Sequence, residues 1–176
     1  GVYVGLCNNE FMRNQHSQPG AYSSTGLSMS AAANRLSFTL GLSGPSVSID
    51  TACSSSLSAL HTACAGLRQG DCDAAVVAAA DLILSPFSIA IRNASGMLSR
   101  SGKCKVFDES ADGYVRGEGA AALVVRRLSD AIADEAKGIG SIRCIIRSTV
   151  MNQDGRSAFL TAPSGESQRR LLERAL

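Results

Sequence analysis

The chain has 176 residues, of which 45% are hydrophobic and 18% charged, a composition typical of a folded globular protein and not of a disordered one. A formal net charge of +2 gives no electrostatic surface for nucleic acid, and the absence of tryptophan leaves few aromatic platforms on which bases could stack. The sequence contains no run of the ~18 apolar residues that a membrane-spanning helix needs, so we expect no membrane span.

The first half of the chain alternates predicted strands and helices. Residues 2–6 form a short apolar run typical of a buried strand, and the polar residues 8–26 predict a loop. Apolar residues at helical spacing predict a helix over 28–40, and residues 46–50 predict a short strand. A second helix follows at once and ends near Gly70. Its predicted apolar stripe is Leu57, Leu60, Cys64 and Leu67.

The second half continues the alternation. Residues 74–84 predict a strand buried on both faces, although their alanines also suit a helix, and Pro86 begins a helix that extends to 97. The later elements are a loop over 99–113, a strand over 119–128, a helix from its cap Ser129 to about 136, a strand over 142–151 and a helix capped by Ser164. Alternating elements with a late pair of adjacent strands predict an α/β layered sheet. Both ends interrupt predicted elements, so we expect a piece of a longer domain.

Six cysteines are distributed without a Cys-x-x-Cys pair or a Cys/His cluster at zinc-ligand spacing, namely Cys7, Cys53, Cys64, Cys72, Cys104 and Cys144. Several lie in apolar surroundings, where a free cysteine behaves as a small hydrophobic side chain. We therefore expect reduced thiols, no metal site, and a reducing compartment such as the cytoplasm or an organelle of the plastid kind.

Cys53 lies at the corner between the predicted strand 46–50 and the helix that follows. The free N–H groups of a helix N-terminus carry a partial positive charge that favours thiolate over thiol. Such a corner projects a side chain beyond the end of the sheet, where ligands bind in α/β folds. Ser54, Ser55 and Ser56 would supply the cap and a tight turn. Cys53 is a candidate nucleophile, and a buried cysteine at a helix start is the alternative.

A cysteine nucleophile normally needs a base, and the sequence contains two histidines. His61 is eight residues along the same predicted helix, so the axial rise places it roughly 12 Å from Cys53. His16 lies in the polar loop, where a solvated histidine is the simpler interpretation. A cysteine hydrolase or simple acyltransferase with His16 as base stays open as an alternative. The chain therefore contains a nucleophile without a convincing base.

Four blocks of sequence, in order along the chain, share a family likeness. They are residues 44–57 around Cys53, residues 96–108, residues 111–119 (Ala-Asp-Gly-Tyr-Val-Arg-Gly-Glu-Gly) and residues 152–163 (from Asn-Gln-Asp-Gly-Arg to Leu-Thr-Ala-Pro). Together they resemble β-ketoacyl synthases, specifically the ketosynthase domains of type I modular polyketide synthases. One departure is Ala78-Ala79-Ala80-Asp81, where this family usually has a Gly-Gly pair, which concerns substrate shape more than the reaction.

The resemblance implies a thiolase-like fold, in which two similar α/β halves form a layered α-β-α-β-α sandwich, usually as a homodimer. The chain would contain most of the N-terminal half, residues 1–128, and the beginning of the C-terminal half, residues 129–176. The family's catalytic triad is one cysteine and two histidines, and both histidines belong to the second half beyond Leu176. Only Cys53 carries over, since His16 and His61 do not occupy the family's histidine positions.

The implied reaction is a decarboxylative Claisen condensation. Cys53 would accept an acyl chain from the phosphopantetheine arm of an acyl carrier protein, and a malonyl-type extender on carrier protein would lose carbon dioxide to give the attacking enolate. The backbone N–H of Cys53 would be one arm of the oxyanion hole. No cofactor would bind directly. The alternatives are a fatty acid synthase ketosynthase and a non-elongating ketosynthase-like dimer or acyl-binding partner.

Two acidic or glycine-rich motifs have simpler interpretations. Asp108, Glu109 and Asp112 could hold a cation, but a turn with solvated carboxylates is favoured. Residues 113–119 could suggest a phosphate-binding loop, yet they precede a predicted strand and not a helix.

Overall fold

The computed structural model describes residues 1–7, residue 10 and residues 20–176. In these residues the elements in chain order are β1 (Val2–Leu6), α1 (Ser23–Leu27), α2 (Ser30–Leu40), β2 (Ser46–Ile49), α3 (Ser55–Gln69), β3 (Ala74–Asp81), α4 (Pro86–Ala94), β4 (Gly119–Arg126), α5 (Leu128–Glu135) and α6 (Gly165–Ala175). The prediction that strands and helices alternate is confirmed.

The four strands form one sheet in the order β2-β1-β3-β4. β1 pairs in parallel with both neighbours, so that Gly5 lies opposite Ile49 on one side and Ala79 on the other. β3 pairs antiparallel with β4. Because β1, β2 and β3 run in the same direction, the residues that follow them meet at one edge of the sheet. That edge carries Cys53.

Side chains of β1 alternate between two helical layers. Tyr3 packs on one face against Ala59 and Ala63 of α3, while Val4 packs on the other face against Ala33 of α2. Helices therefore cover both faces of the sheet, in an α-β-α arrangement. The α/β layered fold predicted from the sequence is confirmed.

Small residues allow α3 to lie very close to β1. A Cβ atom added at Gly5 would lie 2.5 Å from the carbonyl of Ser55, so only glycine fits where the strand meets the helix. The helix buries Ser55, Ala59 and other small residues against the sheet. The predicted apolar stripe is therefore wrong at Leu57, which is 69% exposed. Where α3 lies this close to β1, the size of a side chain matters more than its hydrophobicity.

Three boundary signals are confirmed by the structure. Gly70 ends α3 in a left-handed conformation with φ of 84°, and Pro86 occupies the first turn of α4. The hydroxyl of Ser164 accepts from the backbone N–H of Ser167 at 3.2 Å, which caps α6 as predicted.

Two predicted elements are wrong. Residues 142–151 form no strand, because a strand needs a ladder partner and no strand of the described residues pairs with them. The late pair of adjacent strands is therefore absent, and β4 pairs with β3 instead. The loop predicted over 8–26 contains the short helix α1, while residues 8–9 and 11–19 lie outside the described part of the chain.

Arg127 fixes the start of α5 in place of the predicted cap Ser129. The helix begins at Leu128, with Arg127 in an extended conformation at the N-cap. The guanidinium of Arg127 donates to the carbonyl oxygens of Leu67 and Cys72 at 3.2 and 3.0 Å. These bonds fix the chain direction before Ser129 is reached, so the serine has no capping role.

Candidate functional site

Cys53 is exposed in the turn between β2 and α3. Its neighbour Ala52 has φ of 56°, in the left-handed region that non-glycine residues rarely adopt. The carboxylate of Asp50 accepts from the backbone N–H of Ala52 at 2.9 Å and helps to hold this conformation. The chain therefore makes a sharp corner one residue before the thiol. Sequence reasoning missed the strain at Ala52, because alanine gives no signal for this conformation.

The serines after Cys53 fasten the corner in a way that differs from the prediction. Ser54 is the N-cap residue of α3 but makes no side-chain cap bond, since its hydroxyl donates to the carbonyl of Thr51 at 2.8 Å. Ser55 makes two hydrogen bonds across the corner. Its hydroxyl accepts from the backbone N–H of Thr51 at 2.9 Å and donates to the carbonyl of Ala52 at 2.6 Å. The corner is therefore closed by the first residue of the helix.

Ala52→Val is expected to destabilise the protein by about 1–2 kcal/mol, since a β-branched side chain in the left-handed region adds to the strain already present. Ala52→Gly should change stability by less than about 1 kcal/mol, because relief of strain is offset by the greater freedom of glycine in the unfolded chain. Chemical denaturation measures both. Ala122→Val is the matched control, since Ala122 is exposed on the extended strand β4, and an equal loss there would contradict the explanation by strain.

A cavity of about 990 Å³ opens beside Cys53. Its walls come from the ends of β1 and β3, the beginning of β4, the helix α4 and the loop over 114–117. Most of these residues are small or apolar, and three carry charge, namely Asp81, Arg92 and Arg116. The volume suits a ligand of drug size or an extended acyl chain.

The glycine-rich block at 111–119 builds one wall of this cavity and does not form a phosphate loop. It leads into β4, as the sequence indicated. The backbone of Tyr114 exchanges hydrogen bonds of 3.0 Å with Met97 and Ser99, which joins two of the sequence blocks. A Cβ atom at Gly113 would lie 2.6 Å from the backbone of Leu98, and φ there is 132°, so this junction requires glycine.

Cys7 faces the same cavity as Cys53. Burial raises the pKa of the Cys7 thiol, the charges of Asp50 and Asp81 and the nearby Cys53 add to the rise, and Arg92 opposes it. Cys7 is therefore held as a thiol. The sequence presented Cys7 only as one of six cysteines, without a sign that it meets the candidate nucleophile.

Arg116 and Glu10 form a buried ion pair behind the cavity. Nη1 of Arg116 lies 2.9 Å from Oε1 of Glu10, and their side chains are 8% and 4% exposed. The same Nη1 donates to the hydroxyl of Ser88 at 2.6 Å. The contact with Oε1 is ionic, because its geometry is not that of an aligned hydrogen bond. Oε2 of Glu10 accepts from the backbone N–H groups of Leu84 and Ser85 at 2.8 and 3.0 Å.

The network lowers the pKa of Glu10. Burial alone raises that pKa, but the hydrogen bonds from neighbouring groups and the positive charge of Arg116 outweigh it and lower the pKa to about 2. Nη2 of Arg116 also lies 3.4 Å from Asp81 at the cavity wall. The pair thus joins the loop, the end of β3 and the beginning of α4. Sequence reasoning missed Glu10, which appears there as a single acid in a polar loop.

The other residues considered from the sequence lie away from Cys53 or in structural contacts. Nδ1 of His61 is 3.0 Å from the hydroxyl of Thr149, and His16 lies outside the described residues. Asp112 accepts from the hydroxyl of Ser99 at 2.8 Å and pairs with Lys105 at 3.2 Å, which supports the turn interpretation. In the part of the chain that the structure describes, no three metal-binding side chains cluster, and no helix has the length and apolar character to cross a membrane.

The chain is similar to known β-ketoacyl synthases and polyketide synthases. Residues 1–131 match the family model "Beta-ketoacyl synthase, N-terminal domain". The chain is 48% identical to a highly reducing polyketide synthase, dmxL2, of Cryptosporiopsis sp. over 98% of its own length and 7% of that protein. It is 45% identical to a non-reducing polyketide synthase, olcA, of Penicillium canescens over 98% of its length and 7% of that protein.

Solved structures show the same likeness. The ketosynthase from module 6 of the bacillaene synthase of Bacillus subtilis 168 is 38% identical, with a TM-score of 0.81 over 98% of this chain and 29% of that one. The oxazolomycin ketosynthase domain OzmH KS7 of Streptomyces albus JA3453 is 34% identical, with a TM-score of 0.86 over 99% of this chain and 30% of that one. The chain thus spans under a third of these ketosynthases, and its fold is thiolase-like.

Proposed function

The chain belongs to the β-ketoacyl synthase family, as part of a type I polyketide synthase ketosynthase domain, and from this premise we propose that Cys53 is its acyl-accepting nucleophile. The supporting observation is the position of Cys53, exposed at the sharp corner between β2 and α3 and facing the 990 Å³ cavity. The proposed activity is a decarboxylative Claisen condensation in polyketide biosynthesis. The relatives named above are polyketide synthases, which favours this pathway over fatty acid synthesis.

In the first step, the Cys53 thiolate attacks the carbonyl carbon of an acyl thioester carried on phosphopantetheine. The new C–S bond forms, the bond to the carrier sulfur breaks, and the carrier thiolate takes up a proton. The backbone N–H of Cys53 is our candidate for one donor to the oxygen that becomes negative. Its helix N-terminus contributes partial positive charge at the same place.

In the second step, a malonyl-type thioester loses carbon dioxide. The electron pair of the broken C–C bond remains as an enolate, which attacks the carbonyl carbon of the Cys53 thioester. A new C–C bond forms and Cys53 leaves as the thiolate. We assign the acid–base groups of this step to the two family histidines, which belong to the second half of a ketosynthase. An acyl carrier protein is the proposed partner that delivers both substrates.

Three further parts of the proposal rest on separate observations. The division into an N-terminal half, residues 1–128, and the beginning of the C-terminal half, residues 129–176, is supported by the family model, which ends at 131. A homodimer of the complete domain rests on the family resemblance. None of the six cysteines, all of which lie in the described residues, forms a disulfide, which supports a reducing compartment such as the cytoplasm.

Acylation of the complete ketosynthase domain tests the proposal. The domain is incubated with an acyl thioester on carrier protein and digested, and we expect one acyl group on the peptide that contains Cys53. Malonyl carrier protein should then release this group as a 3-oxoacyl product with one equivalent of carbon dioxide. Acylation elsewhere would contradict the assignment of the nucleophile. Acylation of Cys53 without condensation would favour a non-elongating ketosynthase.

A further inference from the structure

We propose that Arg92 determines substrate specificity, by binding a carboxylate at the distal end of the acyl chain that Cys53 carries. The inference rests on the proposed function, because it takes the cavity beside Cys53 as the place where that acyl chain lies. It goes further in assigning a chemical class to the acyl group, namely one with a negative charge remote from the thioester.

The position of Arg92 is the first part of the argument. It lies on α4, is half-buried, and lines the cavity into which Cys53 faces. Its Nη1 donates to the carbonyl of Ser88, one turn earlier on the same helix, at 2.8 Å. That bond steers the side chain along the helix and occupies one of the five N–H groups of the guanidinium. The other N–H groups have no hydrogen-bond partner among the described residues and can therefore bind a ligand.

The second part of the argument is the positive charge of Arg92. The neighbouring Arg116 is neutralised, because it pairs with Glu10 at 2.9 Å and with Asp81 at 3.4 Å. Within the described ranges no carboxylate lies within 4.0 Å of Arg92. Among these residues, the cavity therefore presents one guanidinium without an anionic partner. A half-buried cation has lost part of its hydration, so an incoming carboxylate restores favourable interactions there.

The third part is the cavity that Arg92 shares with the nucleophile. Arg92 and Cys53 both act on the same thiol, that of Cys7, where the first lowers the pKa and the second raises it. Arg92, Cys53 and Cys7 all line the same cavity of about 990 Å³. An acyl chain attached to Cys53 that extends into this cavity can therefore meet the guanidinium of Arg92.

A carboxylate can reach this cavity from two sources, the acyl chain or the malonyl extender. The extender must lose its carboxylate, and a guanidinium bound to that group would stabilise it against decarboxylation. An acyl chain keeps its carboxylate throughout the reaction. We therefore assign Arg92 to the acyl chain, and the experiment includes an arm for each source.

The test uses the complete ketosynthase domain with three variants: Arg92→Leu, Arg92→Lys, and the control Arg174→Leu on the distant helix α6. Acyl donors are N-acetylcysteamine thioesters in matched pairs, succinyl, glutaryl and adipoyl against the corresponding neutral terminal amides. Mass spectrometry of the Cys53 peptide gives kcat/KM for acylation. The unaltered domain is expected to prefer at least one acid over its amide by about tenfold or more.

Arg92→Leu should remove this preference, because kcat/KM for the acid falls while kcat/KM for the amide stays within about twofold. Arg92→Lys should retain part of the preference, since it keeps the charge but not the planar guanidinium. Arg174→Leu should retain the whole preference. Equal slowing of acid and amide would assign Arg92 a structural role, and no preference in the unaltered domain would also overturn the proposal. If Arg92→Leu raised the KM for malonyl carrier protein and left acylation unchanged, Arg92 would bind the carboxylate of the extender and the proposal would be overturned. Failure of every thioester to acylate Cys53 would instead refute the proposed function.

Discussion

Cys53→Ser is expected to lower the rate of acyl transfer from carrier protein by about a thousandfold or more, because the variant loses its nucleophile. A serine hydroxyl is a far weaker acid than a thiol, so the variant offers almost no anion to attack the thioester. A serine would need a base beside it, and His61, whose position eight residues along the helix excludes it as that base, bonds to Thr149. Acylation followed by mass spectrometry, and product formation with malonyl carrier protein, measure the loss.

Two matched variants make this result specific. Cys144→Ser changes another exposed cysteine, on residues without regular structure, and should leave acyl transfer within about twofold. Cys7→Ser changes the second thiol that faces the cavity and should retain acylation of Cys53. If Cys53→Ser kept more than a tenth of the original rate while Cys7→Ser lost it, Cys7 would be the nucleophile and the assignment would be wrong.

Local sequence patterns were sufficient for most elements. β1 follows from a short apolar run, and α3 from apolar residues at helical spacing. Gly70 marks the end of α3, and Pro86 marks the beginning of α4. Patterns failed where a long-range contact decides the outcome. Leu57 fits a helical stripe, but the approach of α3 to Gly5 selects small residues and leaves Leu57 exposed. Residues 142–151 have strand character but lack a partner strand among the described residues.

The candidate site likewise has a part that local sequence predicts and a part that depends on long-range contacts. Cys53 could be predicted, because the corner between a strand and a helix is a local feature and the surrounding motif is long. The cavity could not, because its walls come from segments far apart in sequence. Arg92 looks like an ordinary polar residue of a helix until the fold places it in the wall of the cavity beside Cys53. Glu10 looks like a solvated acid until the fold pairs it with Arg116. Charge pairing in three dimensions leaves no signature in the spacing of residues.

Arg116→Met is expected to lower the free energy of unfolding by about 3–5 kcal/mol, since it leaves the carboxylate of Glu10 buried without its cation. Both side chains are more than nine-tenths buried, so water cannot replace the lost contact. Two backbone N–H groups still bond to Glu10 but carry no full charge. Chemical denaturation of the complete domain measures the loss. Arg169→Met, which breaks exposed pairs on α6 with Glu166 and Glu173, should cost less than about 1 kcal/mol.

A second substitution and a pH series separate the charge from the packing of Arg116. Glu10→Gln added to Arg116→Met removes the stranded charge and should recover part of the lost stability. The pKa of Glu10 is lowered in the folded protein from its usual 4.5 to about 2, so folding is favoured by the ionised form. Its contribution is fully present above about pH 4.5 and is lost as the pH falls towards 2.

The difference in stability between the unaltered protein and Glu10→Gln should therefore shrink as the pH falls through this window. The equilibrium slope of stability against pH below 4.5 should be lower in Glu10→Gln, because that side chain takes up no proton on unfolding. A slope that is unchanged by Glu10→Gln would show that Glu10 titrates normally and that the ion pair with Arg116 is not formed. An intact slope difference, with Arg116→Met as unstable as expected, would establish this pair as the electrostatic support of the cavity wall.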